Sequence, residues 1–98
     1  MEHAQVQHRE AETVTVRYWA GARAATGTAE DVFAVSGPAT LAEVVRLVLA
    51  AHPDERTARV VGVCSALVGD RPVGARRPED VAVPPGSVVE LLPPFAGG

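Results

Sequence analysis

The sequence predicts an α+β domain, a mixed sheet with one main helix on one face, and three observations carry that prediction. Thr13 to Trp19 (TVTVRYW) alternates strictly, with Val14, Val16 and Tyr18 on one face and Thr13, Thr15, Arg17 and Trp19 on the other, the pattern of a half-buried strand. Thr40 to His52 carries apolar residues at helical spacing behind a capping signal. Val88 to Leu92 is a short apolar run held between a Pro-Gly turn and Pro93-Pro94.

In chain order, residues 1–12 (MEHAQVQHREAE) contain one strongly apolar residue, Val6, and no period, so a disordered extension is predicted, with the domain occupying 13–98. After the first strand, Ala20 to Thr28 is rich in Ala and Gly and reads as a loose loop turning at Gly27-Thr28. Glu30 to Val35 (EDVFAV) reads as the second strand of a hairpin. Ser36-Gly37-Pro38-Ala39 breaks the pattern, and Thr40-x-x-Glu43 then forms a capping box, hydroxyl and carboxylate each satisfying a backbone donor of the first turn. Leu41, Val44, Val45, Val48, Leu49 and His52 make one stripe, with Ala42, Glu43 and Arg46 opposite, until Pro53 ends the helix. His52 is read as a cap on the last carbonyls, since nothing near it has metal spacing.

Val60 to Val68 is β-branched and apolar and reads as a third strand, turned by Gly69-Asp70 into a short fourth, Arg71-Pro72-Val73. Gly74 to Pro85 is polar and proline-rich, hence a surface loop before the last strand. The order is ββαβββ, or ββαββ without the short fourth strand. One helix covers one face of such a sheet. If Val14, Val16, Tyr18, Val89 and Leu91 face it, Trp19 and Leu92 fall on the open side. Alternation alone leaves open whether these two form a partner patch or are ordinary scattered apolar residues.

Composition excludes several chemistries. A length of 98 residues suits one core. A single cysteine, Cys64, can form neither an internal disulfide nor a multi-cysteine zinc site, and predicts a reducing compartment. The nine basic residues are all Arg, against twelve acidic ones, for a net charge of −3. That balance argues against nucleic acid, and the lack of Lys removes Schiff-base chemistry. No apolar run approaches the ~20 residues of a membrane span. Met1 to Glu12 is unlike a signal peptide, so a soluble cytoplasmic chain is predicted.

No Gly-x-Gly-x-x-Gly or Walker-type loop is present. Cys64 lies in an apolar run and reads as a buried, inert thiol. Glu30-Asp31 and Glu79-Asp80 read as solvated surface. What remains is Gly97-Gly98, whose bare backbone can enter a channel that any Cβ would block and whose carboxylate is the one reactive group such a tail delivers. Converted to a mixed anhydride with AMP, that carboxylate becomes an acyl donor to sulfide or a thiolate. Pro93-Pro94 would hold the start of the tail extended and lower the entropy lost on insertion. Composition by itself favours a frayed terminus that happens to end in glycine.

TVTVRYWAGARAATGT, TLAEVVRLVLAAH and GSVVELLPPFAGG, taken together and in order over about residues 13 to 98, resemble the small subunit of molybdopterin synthase. That family belongs to the ubiquitin-like sulfur carriers (MoaD/ThiS-like) and has the β-grasp fold. The resemblance is most specific at Leu91-Leu92-Pro93-Pro94-Phe95-Ala96-Gly97-Gly98; the thiamine carrier usually lacks the Pro-Pro. It departs at the polar extension, at Ser87 where an acidic residue is common, at Gly69-Asp70 where Asn-Gly is common, and in a longer loop from Arg76 to Pro85.

The resemblance implies a thiocarboxylate on Gly98, with Gly97 needed for access. It implies no bound cofactor, ATP being used by an adenylating, ubiquitin-activating-like partner, and a sulfurtransferase as sulfur source. The tail then enters the large subunit of molybdopterin synthase, which holds the catalytic side chains, and donates sulfur to a pyranopterin. Trp19, Leu92, Pro93, Pro94, Phe95 and Ala96 would contact that large subunit. Two other readings stand beside it: a carrier for thiamine, cysteine or a thio-metabolite, and a ubiquitin-like module that binds without covalent chemistry.

Overall fold

Strict alternation from Thr13 produces β1, Thr13–Tyr18, with Val14, Val16 and Tyr18 buried and Arg17 exposed. This is a computed structural model, and it describes residues 12–94. Most of the predicted extension therefore lies outside the described residues; the carbonyl of Glu12 accepts the Val35 N–H at 2.9 Å.

The chain continues through α1 (Ala20–Thr26), β2 (Glu30–Ala34), β3 (Ala39–Thr40), α2 (Leu41–Ala51), α3 (Glu55–Gly62), β4 (Ser65–Val68), β5 (Arg71–Pro72), a 3₁₀ turn (Pro78–Asp80), β6 (Ala82–Val83) and β7 (Val88–Leu92). The main sheet has the order β2-β1-β7-β4-β5, and β3 pairs with β6 as a separate ribbon. β1 and β7 are parallel neighbours, Val16 opposite Val89 and Tyr18 opposite Leu91, while the other main-sheet pairs are antiparallel. The first and last strands thus lie side by side at the centre of a mixed sheet.

α2 begins as read. Thr40 Oγ1 accepts the Glu43 N–H at 3.1 Å and Glu43 Oε1 accepts the Thr40 N–H at 2.9 Å, a complete capping box. Its buried residues Leu41, Val44 and Val48 join Val14, Val16, Tyr18, Val89 and Leu91 in one core. Complete burial of each such side chain contributes about 1.5–3 kcal/mol.

Three segments differ from the sequence prediction. Ala20 to Thr28, expected as a loose loop, is mostly helical: its alanines are the best helix formers, and Gly27, with φ 78°, ends α1 in the left-handed conformation. Val60 to Val68, expected as one strand, is divided between the end of α3 and β4. Asp54 caps α3 by accepting the Thr57 N–H at 2.7 Å, and Thr57 and Val61 are buried one turn apart. The Thr57 hydroxyl, inside the core, donates to the Ala25 carbonyl of α1 at 3.3 Å, so the two short helices stabilise each other. Gly74 to Pro85 is not merely a surface loop, because Val81 and Val83 are core residues and β6 pairs with β3. The Gly69-Asp70 turn is as expected, with Val68 opposite Arg71.

Candidate functional site

The candidate site is the end of the sheet where β7 runs out beside β1. Alternation in β7 buries Val89 and Leu91 and turns Val88, Glu90 and Leu92 to the face away from the core. Glu90 lies opposite Arg17 on β1 and Leu67 on β4, and Leu92 opposite Ser65. On the other side of β1, Arg17 pairs with Glu30, its Nε 3.4 Å from Oε1. A row of alternating charge, Glu30, Arg17, Glu90, therefore crosses the open face.

Trp19 stands at the end of this row, 46% exposed. Its N–H donates to the Leu91 carbonyl at 3.2 Å, extending the β1–β7 ladder by one residue. Its indole Nε1–H donates to Glu90 Oε1 at 2.9 Å, which holds the ring over the last strand. The outward position expected for Trp19 is the observed one. Leu92 is half-buried on the same open side, and Val32 on β2 adds a further exposed apolar residue. Pro93 is half-buried and Pro94 exposed, and an atom added at the Cβ position of Gly21 would lie 4.0 Å from Pro93 Cγ. Phe95, Ala96, Gly97 and Gly98 lie outside the described residues.

Sequence reasoning missed Glu90 and Arg17. Parity marked Glu90 and Arg17 as outward, but only the register makes them neighbours. Two assignments elsewhere need correction. His52 does not cap the carbonyls of α2 with its side chain: its Nε2 lies 2.6 Å from Asp31 Oδ2 on β2. Asp31, expected as solvated surface, also accepts the Tyr18 hydroxyl at 2.8 Å, and the Tyr18 and His52 rings meet edge to face at 5.9 Å. A partly buried carboxylate thus collects two donors, one from β1 and one from the end of α2. Burial, then the bond to Asp31 and the charge of Asp31, push the Tyr18 phenol strongly upward.

Cys64 follows α3, and its thiol donates to the Val60 carbonyl at 3.2 Å. Burial pushes it up to about 11, so it is a neutral thiol near pH 7. The hydrogen bond from the Thr57 N–H holds the Asp54 carboxyl below the usual carboxylate range. Among the described residues no group of three His, Cys, Asp or Glu has metal-binding geometry, and no helix is long and apolar enough to cross a membrane. The described surface around the exit of the chain carries an exposed indole beside a row of alternating charge.

The ThiS family model matches residues 16–98. No curated protein matches the sequence. Among solved structures, SAMP1 of Haloferax volcanii superposes with a TM-score of 0.73 at 21% identity, over 88% of this chain and 99% of its own. The HVO 2177 protein of Haloferax volcanii gives 0.71 at 24% identity, over 89% of this chain and 87% of its own. A chain of the complex of subunits 1 and 2 of molybdopterin-converting factor from Helicobacter pylori gives 0.59 at 23% identity, over 88% of this chain and 99% of its own. At such identities these likenesses establish the fold.

Proposed function

The chain belongs to the ThiS family and has the ubiquitin-like β-grasp fold of sulfur carriers, and from that premise we propose that it carries sulfur as a thiocarboxylate on Gly98, as the small subunit of molybdopterin synthase. The observation that carries the proposal is the reach of the family match, which runs through Pro93-Pro94 to Gly98 and so includes the tail as well as the fold.

The chemistry needs no side chain of this chain. The Gly98 carboxylate oxygen attacks the α-phosphate of ATP on an adenylating partner, pyrophosphate leaves, and an acyl-adenylate forms. Sulfide delivered by a sulfurtransferase adds to the acyl carbon and expels AMP, leaving the thiocarboxylate and a proton. The tail then enters a large subunit and gives up its sulfur to a pyranopterin, with the catalytic side chains supplied by that subunit. The complex of subunits 1 and 2 from Helicobacter pylori supports such a partner. Trp19, Leu92, Pro93, Pro94, Phe95 and Ala96 are assigned to docking, because Trp19 stands exposed at the point where the chain leaves the sheet.

A second reading, a carrier serving thiamine, cysteine or a thio-metabolite, is favoured by the ThiS family match itself. Intact mass after incubation with an adenylating enzyme, ATP and a sulfur source tests the carrier chemistry. Exchange of oxygen for sulfur adds about 16 Da, and deletion of Gly98 abolishes the gain. An unmodified mass with every activating enzyme that binds the chain would leave a non-covalent binding module. Sulfur transfer to a pyranopterin with the large subunit then separates the two pathways.

A further inference from the structure

At the start of β7, remote from the exit of the chain, a cleft of about 400 Å³ opens between the β4–β5 turn, β5, the loop that follows it and the turn before β7. Val68, Val81, Ala82 and Pro84 give it apolar walls, and the charged residues that line it are Arg71 and Arg76. Gly69, Ser87 and the loop from Arg76, three of the places where the sequence departs from the resemblance, all border this cleft. Arg76 is held in place there. Its Nε–H donates to the Val73 carbonyl at 3.2 Å and its Nη2–H to the Pro72 carbonyl at 3.4 Å. Those two bonds fix the plane of the guanidinium and leave its remaining N–H groups for another acceptor. On the opposite wall the Ser87 hydroxyl donates to the Pro84 carbonyl at 2.6 Å and closes the turn. Among the described residues no carboxylate lies within ion-pair distance of Arg71 or Arg76, whereas Arg17 and Arg77 are paired with Glu30 and Glu79.

In a chain of net charge −3, two cations therefore share one cleft without a carboxylate between them. Apolar walls of low dielectric focus their field and raise the local concentration of anions. We propose that this cleft binds a small phosphate ester, with its head between Arg71 and Arg76 and its organic body against Val68, Val81, Ala82 and Pro84. Charge selects the head: a phosphomonoester carries about −1.5 to −2 near pH 7 and offers three acceptor oxygens, which matches two guanidiniums better than the single charge of a carboxylate. Volume selects the body, since a cleft of this size suits an organic ligand and exceeds what a bare ion fills. The length of β7, about 16 Å for five residues, separates the cleft from the exit of the chain, so the proposal does not depend on the carrier reading.

Phenyl phosphate is titrated into the full chain, with inorganic phosphate, benzoate and phenol in parallel, and binding is followed through amide and arginine Nε shifts by heteronuclear NMR. Phenyl phosphate should saturate with a Kd of about 1 mM, its shifts centred on Gly69, Arg71, Ala82 and Ser87, and the other three probes should bind about fivefold more weakly or worse. Arg71→Gln and Arg76→Gln should each weaken phenyl phosphate by about tenfold, while Arg46→Gln, on α2 and outside the cleft, should leave it unchanged. Arg76→Gln also gives up two bonds to backbone carbonyls, so Arg71→Gln decides alone should that variant not fold. Inorganic phosphate or benzoate binding as tightly as phenyl phosphate overturns the assignment of a phosphate ester. Absence of saturation, shifts centred elsewhere, or undiminished binding in Arg71→Gln overturns the cleft itself.

Discussion

Trp19 and Glu90 are joined by a 2.9 Å hydrogen bond between residues seventy-one positions apart, at the point where the parallel β1–β7 pair ends. The bond orients an exposed indole beside the departing chain. The ring needs no such partner for solvation, since it is 46% exposed, so the bond sets orientation more than stability.

Trp19→Ala should therefore weaken the complex with the large subunit by about 30-fold, corresponding to ~2 kcal/mol for an aromatic anchor. The melting temperature should stay within a few degrees. Glu90→Gln, which keeps an acceptor for the indole, should weaken binding by less than about tenfold. Titration calorimetry with the large subunit measures both, and unchanged affinity in Trp19→Ala would remove this face from the docking surface.

Gly97→Ala should suppress formation of the thiocarboxylate while leaving the fold untouched, because a methyl group meets backbone in a channel sized for glycine. Intact mass and a thermal melt on the same sample report the two effects separately. One residue appended after Gly98 should likewise abolish activation while docking persists. Sulfur transfer by the extended, untrimmed protein would show that the Gly98 carboxylate is not the reactive group.

Thr40→Ala removes one half of the capping box at the start of α2 and should cost about 0.5–2 kcal/mol. Urea unfolding with an unchanged m-value checks it.

Cys64 should be dispensable. Its thiol is pushed up to about 11 by burial, so alkylation of the folded protein should be slow near pH 7 and should accelerate only in strongly alkaline solution. Cys64→Ser should load sulfur at the wild-type rate. Loss of loading in that variant would point to a sulfur relay through the thiol.

Tyr18 provides a pH test with its own signal, since it is the sole tyrosine in the sequence. Its folded phenol is raised above the ordinary value near 10 by burial and by Asp31, so the neutral form is favoured in the native state. The corresponding stability is complete below about pH 10 and is lost as pH rises beyond it. Tyrosinate absorbance should therefore appear together with unfolding in an alkaline titration monitored also by circular dichroism. Ionisation that precedes unfolding would contradict the Tyr18–Asp31 bond.

Elements with a strong local signal were legible in the sequence. The alternation of Thr13 to Trp19 specified both β1 and the faces of its side chains, including the outward Trp19. The Thr40 and Glu43 pair and the stripe to His52 specified α2, and Gly69-Asp70 specified its hairpin. The strands, helix and tail motif together also pointed to the family, which the match over residues 16–98 shows.

Contacts between distant segments, and the short helices, were decided by the tertiary structure. A seven- or eight-residue helix such as α1 or α3 is too short to outweigh its own nucleation cost, so local sequence leaves its state undecided; mutual packing, with Thr57 bound to Ala25, decides it. The same holds for Asp31 with Tyr18 and His52, and for Glu90 with Trp19. Sequence determines which face of a strand a side chain occupies, because the period is local. Which residue waits opposite depends on register and crossover, which the chain acquires only when its distant strands pair.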